Sequence, residues 1–139
     1  EKIILRQNIN KEYAEVKPVT STKEILNARK VCREVYLDEK IENYITDIVF
    51  ASRYPNDYKL KKFANLISYG GSPRATINLA MAAKAYAFIK RRGYVIPEDV
   101  RAIAPDVMRH RIGLTYEAEA ENITTEEIIN EILNIVEVP

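Results

Sequence analysis

The feature that most narrows the fold is the run from Ser72 to Gly93. Ser72 is a helix N-cap residue, Pro73 suits the first helical position, where the missing amide costs nothing, and Gly93 follows Lys90-Arg91-Arg92, as expected past a helix end. The spacing predicts a helix over about 73 to 92. Ala75, Leu79, Ala82, Ala83, Tyr86 and Ile89, with Ala80, Ala85 and Ala87 nearby, give it small side chains over which several neighbours can pack closely. It is expected to be the central helix of its domain.

The flanking sequence is punctuated in the same way. Ser21-Thr22-Lys23-Glu24 and Thr124-Thr125-Glu126-Glu127 have the spacing of a capping box, in which hydroxyl and carboxylate satisfy free helix amides reciprocally. After the first, Ile25, Ala28, Val31, Cys32 and Val35 form an apolar stripe that places Cys32 in the core; after the second, Ile128, Ile129, Ile132, Leu133 and Val136 do the same. Asp38 caps a helix striped by Ile41, Tyr44, Ile45, Ile48 and Val49, ending before Tyr54-Pro55-Asn56-Asp57. Pro97-Glu98-Asp99 begins a short helix through Ala104, and Pro105-Asp106 restarts another to near His110. Residues 58 to 69 fit either a short helix or an extended end and are read as a connection. No strand-length alternation is present. The expectation is an all-α bundle of about five helices with short irregular connections.

The 139 residues suit one domain. A net charge of +1 supplies no overall attraction to nucleic acid or an anionic membrane. One cysteine, Cys32, excludes an internal disulfide and fits a cytoplasmic setting. No run approaches the roughly 20 apolar residues of a membrane span.

The candidate chemistry lies at the start of the long helix. A cation in the first turn opposes the helix dipole, at a cost of roughly 0.3–1 kcal/mol, and Arg74 is placed there. Free backbone amides at the same end, with a planar guanidinium, would hold a phosphate. The same residue could instead pair with a carboxylate or lie in water. Arg109-His110-Arg111 suits a helix C-terminus or a phosphate. His110, the only histidine, lacks the companions of a metal site, and no metal is expected. Lys59, Lys61 and Lys62 with Tyr58 and Phe63, and Lys90-Arg91-Arg92 with Tyr94, could form a basic face. Glu117, Glu119 and Glu121 read as polar surface.

Taken in order, Gly70-Gly71-Ser72-Pro73-Arg74-Ala75, Tyr94-Val95-Ile96-Pro97-Glu98-Asp99-Val100, Ala104-Pro105-Asp106-Val107-Met108-Arg109-His110-Arg111 and Tyr116-Glu117-Ala118-Glu119-Ala120 resemble the C-terminal lid of MoxR-family AAA+ ATPases. Ile132-Leu133 and Val136-Glu137-Val138-Pro139 extend the likeness, which covers about 20 to 139. The resemblance implies a helical lid over 20–139, preceded at 1–19 by a connecting segment from an N-terminal ATPase core. It places Arg74 as sensor 2 on the γ-phosphate of ATP, with Ser72 beside it, and ATP and Mg²⁺ in the full-length protein. It also implies a ring, usually hexameric, whose chaperone-like work is directed at a client, possibly one with a von Willebrand A domain. The chain departs from the family in a longer stretch from Asn56 to Tyr69 and in Gly71, where alanine is frequent. It contains no G-x-x-x-x-G-K-[ST] loop, so it is expected neither to hydrolyse ATP nor to bind it tightly by itself. The alternative function is a stand-alone helical module binding protein or nucleic acid.

Overall fold

A computed structural model describes residues 1–10 and 16–139. Part of the expected connecting segment 1–19 therefore lies outside the described residues. The helices are α1 (Lys2–Asn10), α2 (Thr22–Glu34), α3 (Glu39–Arg53), α4 (Pro73–Ile89), α5 (Pro97–Met108), α6 (Tyr116–Ala120) and α7 (Thr125–Ile135). Two short strands, β1 (Ile67–Tyr69) and β2 (Gly113–Leu114), pair antiparallel. The architecture is helical, as the sequence indicates.

Both capping boxes form. The Ser21 hydroxyl accepts from the Glu24 amide while Glu24 accepts from the Ser21 amide, and Thr124 and Glu127 repeat the arrangement. Asp38 caps α3 through the Lys40 amide at 2.9 Å. α4 is central: it packs on α5, α3 and α2, while α7 closes the bundle against α5 and α3. The buried face of α4 is Ala75, Leu79, Ala83 and Ala87. That four-residue repeat puts three alanines in one line, so neighbouring helices can approach its backbone. Ile89, expected on this face, is exposed, and Ala82 and Tyr86 are half-buried.

Three sequence expectations are corrected. First, α2 buries none of its residues; Ile25 and Val31 are about half exposed and Cys32 is intermediate rather than in the core. Its cap and periodicity fix a helix but not what covers the stripe, and α4 is its main neighbour. Second, α5 is one helix containing Pro105 instead of two short ones. Val100, Ala104 and Met108 are all fully buried one turn apart, and continuous burial outweighs the hydrogen bond that proline forgoes. Third, the ambiguous segment holds a 3₁₀ turn at Lys61–Phe63 and then β1. With two and three residues, the strands are too short for alternation to register. After β2, Thr115 caps α6, a five-residue helix with Ala118 buried.

The end of α4 also differs. The helix stops at Ile89, and the left-handed residue is Arg91 (φ 59°) rather than Gly93. The Arg92 amide reaches the Ala87 carbonyl at 2.9 Å and the Arg91 amide the Phe88 carbonyl at 2.8 Å, which is the double bond of a Schellman closure. A side chain at this φ costs about 1 kcal/mol. Arg91→Gly is therefore expected to stabilise the domain by about 0.5–1 kcal/mol, seen as a higher urea midpoint; a lower midpoint would show that the Arg91 side chain contributes more than its backbone costs.

Candidate functional site

The candidate site is built at the point where α3 ends and α4 begins. Ser52, in the last turn of α3, is fully buried. Its hydroxyl donates to the Val49 carbonyl at 2.6 Å and accepts from the Gly71 amide at 2.9 Å. Gly70 is pressed against the same helix end: a Cβ there would lie 2.3 Å from the Ser52 carbonyl oxygen and 2.6 Å from the Arg53 nitrogen. Glycine is required because of this close approach, not because of its backbone angles. At Gly71 a Cβ would meet Ala75 Cβ at 3.1 Å and Val49 Cγ1 at 3.2 Å, which is tight but side chain only.

From Gly71 the chain passes through Ser72, which is extended (φ −74°, ψ 170°), into Pro73 and α4. The Ala75 amide bonds the Ser72 carbonyl at 2.7 Å. The Ser72 hydroxyl makes no capping bond, whereas Ser21, Asp38, Thr115 and Thr124 all cap their helices. Arg74 is exposed and, among the described residues, has neither an ion pair nor a hydrogen bond to its side chain. Pairing with a carboxylate is thus not found among the described residues; the side chain lies in solvent, the other half of the plainer sequence reading, and is open to a phosphate. A hydroxyl and a guanidinium without partners among the described residues share the positive end of a 17-residue helix, an arrangement suited to an oxyanion.

Other arginines are committed within the fold. Arg92 forms a bidentate pair with buried Asp99 and also reaches the Tyr94 carbonyl at 3.2 Å. Asp99 in turn accepts from the Ile96 amide at 3.0 Å. Burial acts to raise the pKa of the Asp99 carboxyl, but the Arg92 bonds, the Ile96 amide and nearby positive charge outweigh it and hold the carboxyl below the ordinary aspartate value. Arg101 crosses to α7, bonding the Leu133 carbonyl and Asn134.

The remaining sequence candidates do not gather at Arg74. Arg109 bonds the Pro105 carbonyl and pairs with Asp106 and Glu126, and Arg111 bonds the Val107 carbonyl at 3.0 Å. They serve the C-terminal end of α5, the plainer of the two sequence readings. His110 is exposed, and no group of three metal-ligating side chains occurs among the described residues. Within the lysine and arginine clusters, Lys62 pairs with Glu131 at 3.3 Å and Arg92 is tied to Asp99. Ser52 was not visible as a site residue in the sequence: a serine in the last turn of a helix carries no signal of its own.

Residues 63–132 match the AAA lid domain family. The chain is 34% identical over 137 residues to Chaperone MoxR1 of Mycobacterium tuberculosis, covering 99% of this chain and 36% of that protein. It is 36% identical over 76 residues to Protein MoxR of Methylorubrum extorquens, covering 53% of this chain and 22% of that protein. A crystal structure from Cytophaga hutchinsonii, of a protein assigned as an ATPase, superposes with a TM-score of 0.91 at 42% identity, covering 99% of this chain and 42% of that one. The chain thus spans about a third of the length of MoxR1. On the lid match and the MoxR-named relatives, it belongs to the AAA lid domain family, in its MoxR-type branch.

Proposed function

We propose that this chain works as the lid of a MoxR-type AAA+ ATPase, with Arg74 contacting the γ-phosphate of ATP as sensor 2. The observation that carries the reading is the Arg74 guanidinium, exposed and without an ion pair among the described residues, in the first turn of α4, on a helix start that Gly70 and Ser52 clamp to α3. In water this charge opposes the helix dipole; beside a phosphate it would complete an anion site with the Ser72 hydroxyl and the free amides. The phosphate loop and Mg²⁺ would be supplied by an ATPase core joined to this lid, since the chain has no such loop.

The apolar side chains left half or more exposed on α1 and α2, among them Ile3, Ile4 and Leu26, are the surface that such a neighbouring domain would cover. Nucleotide state would reach the ring through the lid: loss of the γ-phosphate removes a charge partner of Arg74, and the lid turns as a rigid body. Neighbouring ring subunits are the partners this implies. The naming of MoxR1 as a chaperone supports a protein client as the target of that movement.

The test is nucleotide affinity in the full-length protein. Arg74→Ala is expected to weaken ATP about tenfold while leaving ADP within about twofold, because a γ-phosphate contact is worth a charge-assisted hydrogen bond. Equal losses for ATP and ADP would place Arg74 elsewhere, and no loss for either would remove it from the site.

A further inference from the structure

We propose that Ser52 is a positioning residue for Arg74: its buried hydroxyl fixes the start of α4 and so sets where the guanidinium stands against nucleotide. This rests on the reading of Arg74 given above. Two polar or charged side chains are buried among the described residues, Ser52 and Asp99. Asp99 secures the turn after α4, bonded to Arg92 and the Ile96 amide. Ser52 secures the turn before it.

The geometry joins the two residues closely. The Ser52 hydroxyl spends its proton on the Val49 carbonyl at 2.6 Å, which orients its lone pairs toward the loop, and there it takes the buried Gly71 amide at 2.9 Å. Between that fixed amide and Arg74 stand only Ser72 and Pro73, and proline has a single φ well. Gly70 sits against the Ser52 and Arg53 backbone with no room for a Cβ, and β1, immediately before it, is paired with β2. Little freedom remains between the end of α3 and the first turn of α4 except at the Ser52 bond. Without the hydroxyl the Gly71 amide loses its partner and the loop can lift, carrying Arg74 away from a γ-phosphate. Displacements of this size are costly in a transition state, about a hundredfold per ångström.

The experiment is a double-mutant cycle on ATP turnover in the full-length protein, with Ser52→Ala, Arg74→Ala and both together, each checked for a wild-type melting profile and assembly. Ser52→Ala is expected to lower kcat/KM for ATP about tenfold, no more than Arg74→Ala does, and to have no further effect once Arg74 is alanine. If Ser52→Ala does not fold, Ser52→Cys, of similar volume with a weaker acceptor, is read in the same cycle and is expected to fall between wild type and Arg74→Ala. Wild-type kcat/KM in the Ser52 variant, or the same fold-loss in the Arg74→Ala background as in wild type, overturns the positioning role. Wild-type turnover for Arg74→Ala overturns the Arg74 reading itself, which separates the two failures.

Discussion

Replacing Gly70 by alanine is expected to destabilise the domain by about 3 kcal/mol or more, read as a drop in the urea midpoint with an unchanged slope. The added Cβ would stand 2.3 Å from the Ser52 carbonyl oxygen, 2.5 Å from the Ser52 carbonyl carbon and 2.6 Å from the Arg53 nitrogen. All three are backbone atoms, so no side chain can swing aside. The loop must move off α3, and the Gly71 amide then loses the Ser52 hydroxyl. Overpacking costs about 1–3 kcal/mol, and a buried donor left unsatisfied costs a similar amount. Gly71→Ala is the matched control: its contacts, at 3.1 and 3.2 Å, are with side-chain carbons that can give by a few tenths of an ångström, and a change within about 1 kcal/mol is expected. A Gly70→Ala variant as stable as the control would mean that the loop is not pressed against α3.

The second large effect concerns Asp99. Its carboxylate is almost wholly buried, bonded twice to Arg92 and once to the Ile96 amide, and it joins the exit of α4 to the start of α5. Asp99→Asn keeps an acceptor but removes the charge that compensates Arg92, and about 3 kcal/mol of stability is expected to be lost at neutral pH. The pH dependence follows from the lowered pKa of Asp99. A carboxyl whose folded pKa lies below its unfolded value gives stability that is fully present above the unfolded value and lost as pH falls through the folded one. The difference between wild type and variant should therefore be constant above about pH 5 and shrink progressively below about pH 4. Urea unfolding at several pH values checks it; a gap that persisted undiminished in acid would show that Asp99 acts through shape rather than charge.

What could be read in the sequence follows from how locally each feature is determined. Ser21 with Glu24, Thr124 with Glu127, and Asp38 announce helix starts because the bonds they make span only two or three residues. Arg74 could be singled out because Ser72-Pro73 fixes its place in the first turn. Cys32 lies outside the core: periodicity reports a stripe but not its cover, and on α2 that stripe remains largely open. Pro105 does not split α5, because its local cost is outweighed by the long-range burial of Ala104 and Met108 on either side of it. Arg91 took the left-handed position expected of glycine because the Schellman bonds to Ala87 and Phe88 set the turn, with Gly93 two residues too late. Ser52 and the β1–β2 pair were illegible because their partners lie 19 or more residues away.

The most direct test of the account is steady-state ATP turnover by the full-length protein with Arg74 replaced by alanine and ring assembly verified. A lid whose arginine engages the γ-phosphate predicts a kcat reduced about tenfold to a hundredfold, with thermal stability unchanged, since the Arg74 side chain has no partner among the described residues to lose. Turnover equal to wild type in a correctly assembled ring would contradict it.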